Sequence, residues 1–151
     1  MIVCIGGTFN ILHNGHKILI SKAFEKAGKT GKVFIGVTKG EILQNKIYVK
    51  PYNERVNAIK KYLLKQGYDK QAIIKPILDK YGPTIDGEFD AIIVSPETIK
   101  NAEEINKKRI ANRKNPLEII KIPFVLAEDK KPISSTRILK KEIDNNGKIF
   151  H

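Results

Sequence analysis

The chain has 151 residues, a formal net charge of +12, 41% hydrophobic and 29% charged residues. That length supports one domain with a real core, spanning residues 1–151, and the composition is that of a globular chain, not a disordered one. No apolar run approaches the roughly 18 residues of a membrane span, "MIVCIGG" has neither the basic region nor the cleavage site of an export signal, and one cysteine, Cys4, excludes an internal disulfide. A reducing, cytoplasmic setting is expected, with Cys4 in the core.

In chain order, "MIVCIG" (1–6) reads as a buried strand that runs into a glycine loop. A helix follows over 14–27, with Gly28 as its C-cap. "KVFIGVT" (32–38) is the second strand. The stretch 51–67 is a helix, with Asn53 as candidate N-cap and Val56, Ile59 and Leu63 on one face. "AIIKPI" (72–77) is the third strand, and 78–90 is irregular. "DAIIVS" (90–95) is the fourth strand, 97–115 a long helix, "LEIIKI" (117–122) the fifth strand, and 134–144 a closing helix. Continuously apolar strands alternating with helices predict a doubly wound α/β domain: a five-stranded, mainly parallel sheet with helices on both faces. Such sheets bind ligands beyond the carboxyl ends of their strands, where the strand order reverses.

"GGTFNILHNGH" (6–16) carries the chemistry. Gly6 and Gly7 allow a tight turn and close approach of backbone to ligand. The helix start that follows offers free N–H groups and the positive end of a dipole. The spacing is neither the dinucleotide fingerprint nor a phosphate loop with its lysine. His13 and His16 bracket this helix start, where neutral imidazoles could donate to phosphate oxygens. Two other readings stay open: a metal pair, which lacks further ligands at suitable spacing, and a pair of capping or packing histidines. "PISSTRI" (132–138) predicts a second helix start capped by Ser134 or Ser135. Arg137 in its first turn opposes the dipole unless an anion is present. The 24 lysines are diffuse and read as a solvated surface, whereas the four arginines, Arg55, Arg109, Arg113 and Arg137, are few enough to be informative.

These residues resemble the G-T-F-D…H-x-G-H element of the nucleotidyltransferase superfamily, with its Rossmann-like fold, and "ISSTRI" resembles its second nucleotide-binding element. "KPYNERV" (50–56), "ILDKYGP" (77–83), "VSPETIKNAEEINKKR" (94–109) and "AEDKKPISSTRI" (127–138) narrow the likeness to the archaeal type of phosphopantetheine adenylyltransferase, over nearly the whole chain. The resemblance implies that ATP and 4′-phosphopantetheine give dephospho-coenzyme A and pyrophosphate, with Mg²⁺ held mainly by the nucleotide phosphates and no protein metal ligand. It assigns His16 to the α-phosphate, His13 to the ATP phosphates and Thr8 to the incoming phosphate. Gly6, Gly7 and Phe9 shape the loop, and Gly15 lets nucleotide lie against the helix. Ser134, Ser135 and Thr136, beside Arg137, are assigned to the β- and γ-phosphates. A phosphate-neutralising lysine is expected at Lys46, with Lys39 the other choice, and a phosphate clamp at Arg109. The family pattern has aspartate where this chain has Asn10, which leaves the role of that carboxylate open.

Phosphate motifs do not read base or acceptor, so a cytidylyltransferase or an FMN or nicotinamide mononucleotide adenylyltransferase is the alternative within the superfamily. A nucleic-acid-binding module is weighed on charge and disfavoured, because aromatics are 7% and no basic stripe is interleaved with them. A nucleotide-binding protein without turnover is the remaining alternative. No membrane partner is expected, and the oligomeric state is not legible.

Overall fold

Val3 and Ile5 of the first strand join one apolar cluster while Cys4, between them, joins another. That period-two alternation means both faces of the sheet are covered. The computed structural model describes residues 1–40 and 48–150. Its elements are β1 (Ile2–Gly7), α1 (Asn14–Ala27), β2 (Lys32–Thr38), α2 (Tyr52–Gln66), β3 (Ala72–Ile77), β4 (Ala91–Val94), α3 (Ile99–Ala111), β5 (Glu118–Lys121) and α4 (Ser135–Leu139). The strands form one sheet in the order β3-β2-β1-β4-β5. Every pairing is parallel, including Val3 with Val33 and Cys4 with Ile92.

The chain winds outward from β1 to β3 and then returns to place β4 on the other side of β1, so the order reverses between β1 and β4. Helices α1 and α2 cover one face, where Ile20, Phe24, Ile59 and Leu63 meet Val33, Ile35 and Ile93. Helix α3 covers the other through Ala102 and Ile105, against Ile92 and Val94. Ile20, Ile35 and Ile59 are fully buried. Each contributes about 1.5–3 kcal/mol relative to exposure, and truncation to alanine costs about 2–5 kcal/mol. A third cluster of Ala127, Ile133 and Ile143 sits under α4. No helix among the described residues is long and apolar enough to cross a membrane.

The expected elements are all present, and three ends differ. Helix α2 starts at Tyr52 with Pro51 in the cap position and no side-chain cap bond, so Asn53 lies inside the first turn. Proline supplies the required φ without needing its missing N–H there. Helix α3 stops at Ala111, before Arg113 adopts a φ of 60°. Helix α4 is a short turn ending at Leu139. The chain beyond it turns back through Asp144, whose Oδ1 accepts from the Asn146 and Lys148 amides, to pair Ile143 with Ile149. An Asp-Asn-Asn-Gly run favours that turn over more helix.

Candidate active site

Helix α1 opens with a reciprocal cap built from two histidines. His13 is the N-cap, and its Nδ1 accepts the Gly15 N–H at 3.0 Å. His16 returns the bond, its Nδ1 accepting the His13 N–H at 3.3 Å. The rings stack with centroids 3.8 Å apart. The capping reading of the two histidines therefore holds, and it does not compete with a donor role. Burial pushes the His13 imidazole down to about 4. Burial, then the neighbouring His13 ring, pushes His16 down to about 3, with the Ile11 carbonyl working the other way. Both rings are neutral at pH 7. Because each Nδ1 accepts a backbone N–H, the remaining proton sits on Nε2, which leaves two Nε2–H donors at one helix start.

The loop before the cap is shaped for this. Phe9 is buried, has a φ of 50°, and leans on the His16 ring at 5.0 Å. A Cβ on Gly15 would stand 2.8 Å from His13 Cε1, so the glycine makes room for the capping ring itself. Gly6 and Gly7 end β1 at the switch point, where they border two adjoining cavities.

The larger cavity, about 380 Å³, brings Gly6, Gly7, Thr8, Phe9, Asn10, His13, Gly15 and His16 together with Ser134, Ser135 and Thr136. Ser134 caps α4 by accepting the Arg137 N–H at 3.2 Å. Ser135 ties the two motifs together: its Oγ accepts from Ile11 N at 3.2 Å and donates to Ile11 O at 3.3 Å. The lining is rich in N–H and hydroxyl groups, and Glu97 is its one acid among the described residues. No group of three or more His, Cys, Asp or Glu among the described residues is arranged to hold a metal ion.

The second cavity, about 200 Å³, is mostly apolar and lies between the ends of β1, β2 and β4 and helix α3. Beside it, the Thr38 hydroxyl donates to the Thr8 hydroxyl at 3.1 Å, which leaves the Thr8 proton free to be donated elsewhere. Burial pushes the nearby Cys4 thiol up to about 12, an unreactive core thiol as expected.

The structure places three of the expected basic residues away from the phosphate-facing lining or outside the described residues. Arg109, expected as a phosphate clamp, lines neither cavity. It is 4% exposed, and its guanidinium donates to the Asn115, Thr84 and Gly87 carbonyls at 2.7–2.9 Å, holding the 84–87 loop against α3. Arg137 lines neither cavity, and the anions that satisfy it are the chain's own Asp129 and Glu142. Lys46 lies outside the described residues, while Lys39 stands 5.0 Å over the Tyr52 ring and away from both cavities.

Sequence reading overlooked Thr38 and the role of Arg55, which is 2% exposed although it lies in the first turn of a helix. Its Nη1 donates to the Thr8 carbonyl at 2.9 Å and the Thr38 carbonyl at 2.8 Å. The signal was an arginine one position before Val56 on the apolar face. Nothing local says what it reaches.

Two capped helix starts facing a glycine loop at the switch point of a parallel sheet define a phosphate-binding α/β protein. A cytidylyltransferase-like family model matches residues 4–141. A phosphopantetheine adenylyltransferase of Methanosarcina mazei is 48% identical, over 97% of this chain and 96% of that protein. One from Archaeoglobus fulgidus is 41% identical over 99% of this chain and 100% of that one. A crystal structure of an Archaeoglobus fulgidus protein of unknown function superposes with a TM-score of 0.74 at 34% identity, covering 89% of this chain and 100% of that one. The chain belongs to the cytidylyltransferase-like family, among the archaeal phosphopantetheine adenylyltransferases.

Proposed function

We propose that the chain transfers the adenylyl group of ATP to 4′-phosphopantetheine, giving dephospho-coenzyme A and pyrophosphate. A phosphate oxygen of the acceptor attacks the α-phosphorus, the bond to the β-phosphate breaks, and pyrophosphate leaves with that electron pair. The attacking group is already anionic, so no general base is needed. Alignment and stabilisation of the equatorial oxygens are what the protein must supply.

The observation that carries this reading is the pair of histidines at the α1 start, each with its Nδ1 occupied by a backbone N–H, lining the cavity that Ser134, Ser135 and Thr136 share. In this reading, His16 donates to the α-phosphate, and His13 and the α4 start hold the remaining ATP phosphates. The freed Thr8 hydroxyl binds the acceptor phosphate, and the apolar second cavity takes the acceptor's tail. Lys46 is assigned to phosphate neutralisation by resemblance alone. Mg²⁺, supplying charge neutralisation, fits a site whose lining is mainly donors, because the nucleotide phosphates bring most of the oxygens that ion prefers. The chain acts as one domain, in the cytoplasm. The shared name of near-full-length relatives at 41–48% identity supports the choice of acceptor over other nucleotidyltransferase substrates.

Pyrophosphate release with Mg²⁺ tests it, crossing ATP and CTP against 4′-phosphopantetheine, nicotinamide mononucleotide, FMN and glycerol 3-phosphate. Release with ATP and 4′-phosphopantetheine alone is expected. Release with another pair keeps the phosphate site and sinks the acceptor. Tight ATP binding with no release from any pair leaves a binding protein.

A further inference from the structure

We propose that Asn10 and Arg55 are positioning residues that clasp the Lys50 backbone against the glycine loop, and that the clasp requires an amide at position 10. The inference rests on the reaction proposed above, because the clasp holds the parts assigned there to the acceptor phosphate.

Asn10 is 8% exposed. Its Oδ1 accepts the Lys50 N–H at 2.8 Å, and its Nδ2 donates to the Tyr48 carbonyl at 2.6 Å. A backbone N–H only donates and a carbonyl only accepts, so these two partners fix the orientation of the amide. They also define what position 10 must offer, namely one acceptor and one donor at the end of a short side chain. Arg55 grips the same residue through its carbonyl, with Nε donating to Lys50 O at 2.8 Å. Its Nη1 meanwhile holds the Thr8 and Thr38 carbonyls. No carboxylate among the described residues pairs with this guanidinium; its hydrogen-bond partners are carbonyls from three segments of chain.

Asn10 and Arg55 thus join the glycine loop, the end of β2, residues 48–50 and α2 in one network. Tyr48 and Val49 line the larger cavity, and Thr8 sits where the acceptor phosphate is assigned. An aspartate at position 10 would keep the shape but offer the Tyr48 carbonyl no donor. Ionised, it would set a charged oxygen against the Tyr48 carbonyl, and residues 48–50 must then shift. The parts assigned to ATP are fastened separately, by the Ser135–Ile11 bonds and the histidine cap. Arg55 also holds the Thr8 carbonyl, so loss of the clasp falls first on the residue assigned to the acceptor phosphate.

Asn10→Asp and Arg55→Lys, which keeps the charge but not the fork, are compared with wild type in the full chain. Amide exchange at Lys50 and the kinetic constants for each substrate are measured. Lys50 exchange should quicken at least ~10-fold in Asn10→Asp, because the shift of residues 48–50 away from the carboxylate draws the Lys50 N–H off the side chain. In both variants kcat/KM for 4′-phosphopantetheine should fall by about 10–100-fold, the scale of a 1 Å misplacement, with the ATP KM within about threefold of wild type. Unchanged Lys50 exchange in Asn10→Asp, or losses that fall equally on both substrates, would overturn the clasp. Arg55→Lys must reproduce the substrate split, which decides the matter should Asn10→Asp fail to fold. If wild type releases no pyrophosphate with this acceptor, the reaction reading falls by itself, and the exchange result alone decides the clasp.

Discussion

Ser135 and Ile11 are 124 residues apart, yet the Ser135 hydroxyl both accepts the Ile11 N–H and donates to the Ile11 carbonyl. One hydroxyl meets both backbone polar groups of a single residue in the glycine loop. The glycine loop and the α4 start are thereby tied to each other across the chain.

Ser135→Ala leaves the Ile11 N–H and C=O without that partner. We expect a stability loss of about 1–3 kcal/mol, the cost of partly buried groups left unpaired, and an ATP KM raised several-fold. Thermal unfolding and steady-state kinetics measure the two effects. A lowered melting temperature with an unaltered ATP KM would make the contact purely structural.

His16→Ala removes one Nε2–H donor and should lower kcat by about 10²–10³, the usual cost of losing a transition-state donor. His13→Ala should cost stability as well, about 1 kcal/mol for the lost cap. Gly15→Ala displaces the His13 ring and should resemble the His13 variant. Long-range proton–nitrogen spectra at pH 7 should show both imidazoles protonated at Nε2. An Nδ1-protonated ring would contradict the cap.

Both imidazoles titrate below the ordinary 6.5 in the folded chain, near 4 and 3. Between pH 6.5 and those values the unfolded chain binds more protons, so stability falls as pH falls. Their contribution is complete above pH 6.5 and is lost on approach to pH 3–4. At pH 5 the loss is on the order of 1–2 kcal/mol per histidine, the lower figure applying to the more exposed His16. Urea midpoints at pH 7.5 and 5.0 should show the drop, and the His13→Asn/His16→Asn double variant should lose that share of it. Neither ring titrates between pH 6 and 8, so activity in that range should owe no inflection to them.

Arg109→Lys tests whether that residue holds the 84–87 loop or a phosphate. Its three carbonyl bonds need a fork that lysine does not have. We expect a stability loss of about 2–4 kcal/mol from buried groups left unpaired, with an ATP KM within about twofold of wild type. A large rise in KM without loss of stability would restore the phosphate-clamp reading.

The strand segments, the α1 limits, the Gly28 cap and the histidine pair were legible because each is signalled within a few residues: apolar runs, a glycine after a periodic stretch, two imidazoles around one helix start. The sequence by itself therefore determined the fold class and the glycine loop at the switch point of the sheet. What it left open were the fates of the arginines and of Asn10. A guanidinium reaches several ångströms, and its partners lie 17–47 residues away for the β2 and glycine-loop bonds of Arg55 and 22–25 residues away for the loop bonds of Arg109. Only the tertiary structure brings such partners within reach. It decided that Arg109 and Arg137 bond within the scaffold, that Ser135 spans the two motifs, and that Asn10 and Arg55 meet at Lys50, because those hydrogen bonds are set by the tertiary fold and not by neighbouring residues.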